Sequence, residues 1–301
     1  MIDVQTLPLH KKFSRRLVWK DTWLINCYSP SGESPNPHVL IGKEAALVVD
    51  TTDTHMPLRE YLETYVTGDL PIWVASTHSH LDHTANNGSF NDCPIYMSAI
   101  AWEEIKEQRR NGSFQDPRHL GLIEGDYIPN IVKPGDIIDI GDRPIEVIEF
   151  GGCHSGSSIG FLDHKARIFF PGDEMESGQV LMQGEGRGGR NCVELYHENL
   201  LHLKEISSEF DLICPPHNGS PMHVSVLDNF IENCERIMSG IEGDKDIGSI
   251  SYLLGPHEPR SPEKVRRLRY DPNSRRSEWK GTSIVYSIDR IWKKDLETKG
   301  C

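Results

Sequence analysis

Three histidines and an aspartate stand within six consecutive residues, His78-Ser79-His80-Leu81-Asp82-His83, and His154, Asp173 and His217 follow at wide intervals. Imidazole nitrogens and carboxylate oxygens suit zinc and other borderline first-row ions, whereas magnesium and calcium favour all-oxygen sets. On an extended segment residues two apart point to the same side, so His78 and His80 can approach one ion as a pair. Asp82 and His83 then turn towards a neighbouring position. Asp173 brings a carboxylate whose two oxygens can bridge two cations.

Each later candidate stands in a local setting that suits a ligand. His154 lies in Gly151-Gly152-Cys153-His154-Ser155-Gly156-Ser157-Ser158, where glycines allow close backbone approach and hydroxyls can bond nearby groups. Asp173 closes Phe170-Pro171-Gly172-Asp173, and His217 stands in Cys214-Pro215-Pro216-His217-Asn218-Gly219. Taken singly, these would be a loop histidine, a helix-start aspartate and a surface histidine. Their order behind the first cluster gives them weight together.

The elements that must position these residues are short apolar runs, each ending in a polar or ligand-type residue. Runs 45–49, 72–75, 145–150, 167–170 and 212–214 are rich in Val, Ile and Phe and read as buried strands that deliver side chains to one edge. Helices are predicted over 54–66, 98–110 with Ser98 as its cap, 193–207 and 224–239. Strands alternating with helices imply an α/β fold with sheets covered by helices. We expect one main domain over 1–245 and a β-rich C-terminal extension over 246–301. In the extension, 249–254, 265–270 and 283–292 read as strands and 271–274 as a turn. The loop 184–190 is dense in glycine and carries Arg187 and Arg190, which could grip an anionic substrate group near the metals.

Composition narrows the partners. The chain has 301 residues, 37% of them apolar, and a formal net charge of -13. An acidic protein repels a polyanion at long range, so nucleic acid is not the expected partner. No apolar stretch approaches the length needed to span a bilayer, and the N-terminal residues lack a basic start followed by an apolar run. No membrane partner and a cytoplasmic location are expected. The seven cysteines are scattered and never spaced as C-x-x-C, so reduced thiols are expected. The basic run Lys264, Arg266, Arg267, Arg269, Arg275 and Arg276 reads as a solvated hairpin face, or as a surface for an acidic patch in a homo-oligomer.

The H-x-H-x-D-H motif at 78–83, followed by single His, Asp and His ligands in this order, resembles the metallo-β-lactamase superfamily over about residues 20–240. The resemblance implies a four-layer αββα sandwich with two metal ions at the sheet edge. It places His78, His80 and His154 on one ion, Asp82, His83 and His217 on the other, and Asp173 between them. Asp50, which ends the run 45–49, matches the strand-end aspartate that supports the ligands in that family; a bland helix-capping role is the alternative. The implied activity is hydrolysis by a metal-bound hydroxide, with zinc as the default ion and manganese or iron as substitutes. Asp82 would also orient that hydroxide or receive its proton.

An aspartate in the bridging slot resembles the glyoxalase II, lactonase and phosphodiesterase branches. The acyl-homoserine lactonases carry a tyrosine just after that aspartate, where this chain has Glu174-Met175-Glu176. The expected substrate is therefore a small acyl compound: a thioester, lactone, ester or amide. A phosphodiesterase is the first alternative, and a mononuclear iron oxidoreductase of the persulfide dioxygenase type is the second. The latter would leave Asp82, His83 and His217 idle as ligands.

Overall fold

The computed structural model describes residues 7–27, 35–52, 56–110, 127–182, 191–245 and 273–297. They fall into two compact units, Met1–Glu149 with Ile159–Phe170, and Phe150–Ser158 with Pro171–Cys301. Both mix helix and sheet, as the alternation of runs implies.

The first unit is built on a seven-stranded sheet. Its strands, in spatial order, are β1 (Phe13–Trp19), β2 (Thr22–Cys27), β3 (His38–Ile41), β4 (Ala46–Val49), β5 (Ile72–Ala75), β6 (Ile95–Ser98) and β7 (Asn130–Val132). The first four pair antiparallel, and β4 to β7 run parallel, joined by longer crossovers. All four residues of β4 are buried. That burial explains why its sequence is a continuous apolar run rather than an alternation: both faces are covered. Ala46 and Val48 join one apolar cluster with Leu58, Tyr61, Leu62, Ala101 and Ile105, contributed by helices α1 (Leu58–Leu62) and α2 (Ala99–Arg110). Helix α2 matches its predicted span, and Ser98 Oγ accepts the Ala101 N–H at 3.1 Å, as a cap should. The predicted helix over 54–66 is shorter than expected. It runs from Leu58 to Leu62 and continues as a π-helical turn, Glu63–Thr67; residues 53–55 lie outside the described residues.

The same unit carries four further antiparallel strands, β8 (Ile137–Asp139), β9 (Pro144–Ile148), β10 (Gly160–Asp163) and β11 (Ile168–Phe170). Arg143, at the start of β9, ties these strands to the first sheet. Its guanidinium donates to Asp163 Oδ2, to the carbonyls of Asp21 and Ile41 at 2.9 and 2.8 Å, and to Thr22 Oγ1. Five N–H groups on a buried fork meet four acceptors, so the charge is compensated where three turns converge.

The second unit pairs helices α3 (Val193–Glu205) and α4 (Val226–Met238), close to their predicted spans. Their buried faces include Tyr196 and Phe230, whose rings meet edge-on at 6.4 Å. A short hairpin, β13 (Leu212–Ile213) with β14 (Met222–His223), follows α3. A three-stranded sheet of β12 (Val180–Leu181), β16 (Thr282–Ser287) and β15 (Ser274–Trp279) belongs to the same unit. The predicted strand over 283–292 ends early at Ser287, because the chain turns into the short helix Lys293–Glu297, whose Asp295 carboxylate accepts the Trp292 N–H. Strand β15 was not expected, and in it Arg275 is only 5% exposed and paired with Glu242. A solvated basic face is therefore not what Arg275 forms. Lys264, Arg266, Arg267, Arg269 and the predicted strands 249–254 and 265–270 lie outside the described residues.

Candidate metal centre

Four of the predicted ligands belong to the first unit, and their placement follows from a strand end. Strand β5 stops at Ala75, and Ser76 to His80 continue without regular structure before a single helical turn, Leu81–Thr84, begins. His78 and His80 thus sit on the non-helical segment, with His78 Nε2 at 2.9 Å from His80 Nδ1. Asp82 and His83 sit on the helical turn, with Asp82 Oδ2 at 3.3 Å from His83 Nε2. The backbone changes from extended to helical between residues 80 and 81, and the His78 and His83 rings still meet, with centroids 4.2 Å apart. Helix α2 braces this segment at Ser79, whose hydroxyl donates to Glu104 and whose carbonyl accepts Gln108 Nε2 at 3.2 Å. Glu104 and Gln108 lie four apart on one helix face, which is why two side chains can reach the same residue.

Asp50 organises the imidazoles. Its buried carboxylate accepts the Thr77 N–H at 2.8 Å, the Thr77 hydroxyl at 2.9 Å and His83 Nδ1 at 3.0 Å. Because the Thr77 hydroxyl gives its proton to Asp50, its oxygen is the acceptor for His78 Nδ1 at 2.9 Å. The network therefore assigns the protons of His78 and His83 to Nδ1, so that each Nε2 carries a lone pair. The helix-capping alternative for Asp50 does not hold, since its carboxylate is spent on Thr77 and His83.

The remaining three ligands belong to the second unit. Asp173 Oδ2 lies 3.3 Å from His154 Nε2 and 3.5 Å from His217 Nε2. His154 is aligned from its other side, where Nδ1 meets the Leu181 carbonyl at 3.0 Å and so carries the proton. The glycines before it are required by space and by backbone angle. A Cβ on Gly151 would fall 2.3 Å from the Ser158 carbonyl oxygen, and Gly152 has φ of 90°. Asn199, from α3, holds the Gly151 carbonyl at 2.7 Å.

Glu174, next to the bridging candidate, is fully buried and escaped the sequence reading. Its carboxylate accepts the backbone N–H groups of Cys153, His154 and Ser155 at 3.2, 3.0 and 3.1 Å. Burial pushes this carboxyl up to about 7, against the pull of those three N–H groups. Glu176 and Asn218 were missed as well; Asn218 Nδ2 donates to Glu176 Oε2 at 2.9 Å. The sequence held one signal for these residues: two acids flank Met175 directly behind a ligand.

Burial raises the Cys153 thiol well above its ordinary range and raises Cys192 too, so both stay protonated; Cys192 caps α3 by accepting the Leu195 N–H. His223 is exposed and bonded to Ser225. Arg187 and Arg190 lie outside the described residues.

The family model described as the metallo-beta-lactamase superfamily matches residues 31–217. The chain is similar to the acyl-coenzyme A thioesterase MBLAC2 of Gallus gallus and of Homo sapiens, at 24% and 25% identity. Each match covers 53% of this chain and 64% of the relative, so it spans less than two thirds of those proteins' length. Among solved structures, the DIM-1 metallo-beta-lactamase aligns with a TM-score of 0.58 at 21% identity, over 75% of this chain and 98% of its own. A metallo-beta-lactamase from Pontibacter korlensis aligns with a TM-score of 0.58 at 15% identity, over 74% and 99%. These structural likenesses establish the fold alone. From the match to its family model over more than half of its length, the chain belongs to the metallo-β-lactamase superfamily.

Proposed function

We propose that the chain is a dinuclear metal-dependent hydrolase of small acyl compounds, with a thioester as the first substrate class. The observation that carries this reading is the place of Asp173 Oδ2, between two imidazole Nε2 atoms at 3.3 and 3.5 Å. A carboxylate in that position suits a shared ligand of two cations. We assign His78, His80, His154 and Asp173 to one divalent ion, and Asp82, His83, Asp173 and His217 to the other. The donors fit zinc: they are imidazole nitrogens and carboxylate oxygens, and hydrogen bonds at Nδ1 of His78, His83 and His154 turn Nε2 towards a ligand.

Divalent ions held there would lower the pKa of water towards neutrality and would polarise a substrate carbonyl. Asp82 has a side chain 27% exposed, so it can reach solvent and accept the proton released as water adds to the acyl carbon. That proton passes to the leaving group as the acyl–heteroatom bond breaks.

The thioester is ranked first because the curated relatives are named acyl-coenzyme A thioesterases. At their identity and coverage they support the kind of bond and not the acyl group. Among the described residues six cysteines are free thiols and no helix is long and apolar enough to cross a membrane. Free thiols fit a reducing compartment, and on that ground we place the enzyme in the cytoplasm.

Elemental analysis of protein purified without chelator, paired with thioester, lactone, β-lactam and phosphodiester probes, tests the reading. Two equivalents of metal and turnover of an acyl probe are expected, and Asp173→Ala should lose metal and most of that turnover while keeping its circular dichroism. One equivalent of iron without hydrolysis would overturn it in favour of an oxidoreductase. Full turnover by Asp173→Ala with unchanged metal would overturn the shared ligand.

A further inference from the structure

The segment Glu174 to Ser177 makes two separate sets of bonds, and each ends on the loop of a different ligand. On one side the Glu174 carboxyl group gathers three consecutive N–H groups, those of Cys153, His154 and Ser155, so the backbone of the His154 loop is wrapped around a buried acceptor. On the other side Glu176 Oε2 accepts Asn218 Nδ2 at 2.9 Å, and Ser177 Oγ accepts the Gly219 N–H at 2.6 Å. Asn218 and Gly219 directly follow His217. Space has been left for this second contact: a Cβ on Gly178 would fall 2.3 Å from Asn218 Nδ2. Asn218 itself holds φ of 60°, a left-handed conformation that Asn and Gly adopt more readily than other residues. Asp173 stands immediately before this segment, so one stretch of chain carries the shared ligand and grips the loops of both its neighbours.

We propose that residues 174–177 form a two-armed brace in which Glu174 is the positioning residue for the His154 ligand set, and Glu176 with Asn218 positions the His217 set. The proposal rests on the dinuclear reading and adds to it that the two ions can be weakened independently from one segment. Neither glutamate needs to touch an ion. Without the Glu174 carboxylate, three buried N–H groups lose their acceptor and the His154 loop loses the anchor that fixes its backbone. Without the Glu176–Asn218 bond, the residue after His217 is freed while the His154 loop keeps its anchor. Groups that orient a ligand without binding metal contribute about 10- to 100-fold in metal affinity.

The test is cobalt(II) titration of chelator-stripped protein, followed by visible absorption and calorimetry, with His154→Ala and His217→Ala supplying the reference spectrum for loss of each set. Glu174→Ala should weaken one binding step at least about tenfold and leave the spectrum that His154→Ala leaves. Asn218→Gly, which keeps the backbone conformation, should weaken the other step and resemble His217→Ala. If Glu174→Ala does not fold by circular dichroism, Glu174→Gln replaces it: one amide oxygen remains as acceptor, while the amide NH2 faces the Cys153 N–H. A weakened His154 step in Glu174→Gln is then the supporting result and an unchanged one the overturning result. Wild-type uptake of two ions with both steps unchanged in the variants, or with both variants weakening the same step, overturns the brace alone. Wild-type uptake of fewer than two ions overturns the dinuclear reading and the brace with it.

Discussion

Asp50→Asn isolates what the supporting carboxylate does for the ligands. Asp50 has φ of 60°, where Asn is well tolerated, whereas Asp50→Ala would add a backbone cost of about 1–2 kcal/mol to any other effect. The aspartate accepts from three donors, the Thr77 N–H, the Thr77 hydroxyl and His83 Nδ1. An asparagine has one acceptor oxygen and one NH2, so whichever way it turns, an N–H faces a donor. If the NH2 faces His83, that ring must accept at Nδ1 and carry its proton on Nε2, which removes the lone pair a metal needs. If the NH2 faces the Thr77 N–H instead, the bond that fixes residue 77 is lost. Losing one hydrogen bond to a buried charged group should cost about 1.5–3 kcal/mol of folding stability without metal. Losing ligand orientation should weaken metal binding by about 10- to 100-fold, or about 1.4–2.7 kcal/mol. Competition with a chromogenic chelator measures the affinity, and nitrogen chemical shifts of His83 report where its proton sits. A folded Asp50→Asn protein that binds zinc as tightly as wild type, with the His83 proton still on Nδ1, would refute the reasoning.

Two further predictions concern stability. Gly151→Ala should lose about 1–3 kcal/mol in urea unfolding, because the new Cβ meets the Ser158 carbonyl oxygen at 2.3 Å and backbone cannot step aside as a flexible side chain can; stability equal to wild type would show that the loop relaxes. His38 is buried, and burial together with the Arg16 charge lowers its pKa to about 3 from an ordinary 6.5. In the unfolded chain His38 takes up a proton below about pH 6.5 while the folded chain does not, so its neutral burial stabilises the fold above that pH and the contribution is lost as pH falls towards 3. Between pH 6.5 and 5 the wild type should lose about 2 kcal/mol more than His38→Phe in urea unfolding, and parallel losses would refute the assignment.

The sequence alone determined the donor types of the candidate site, because donor type is a local property: imidazoles and carboxylates at 78–83 keep it in any fold, and an apolar run fully buried on both faces is legible as a strand, as β4 shows. The spans of α2, α3 and α4 were legible for a similar reason, since a helical face is written in spacing along the chain. The hairpin of β1 and β2, the strand β15 and the pairing of Arg275 with Glu242 were not, since each depends on partners brought up by the rest of the chain. The same limit applies at the site. Only tertiary structure decided which nitrogen of His78 and of His83 carries the proton, because that choice is made by Asp50 acting on residues 27 and 33 positions away. Only tertiary structure gave Glu174 its role, which exists because a turn 20 residues earlier folds its N–H groups onto a carboxylate taken out of water. Donor type is fixed by covalent structure, whereas proton placement and orientation depend on through-space hydrogen bonds, which form only once burial has removed the competing water.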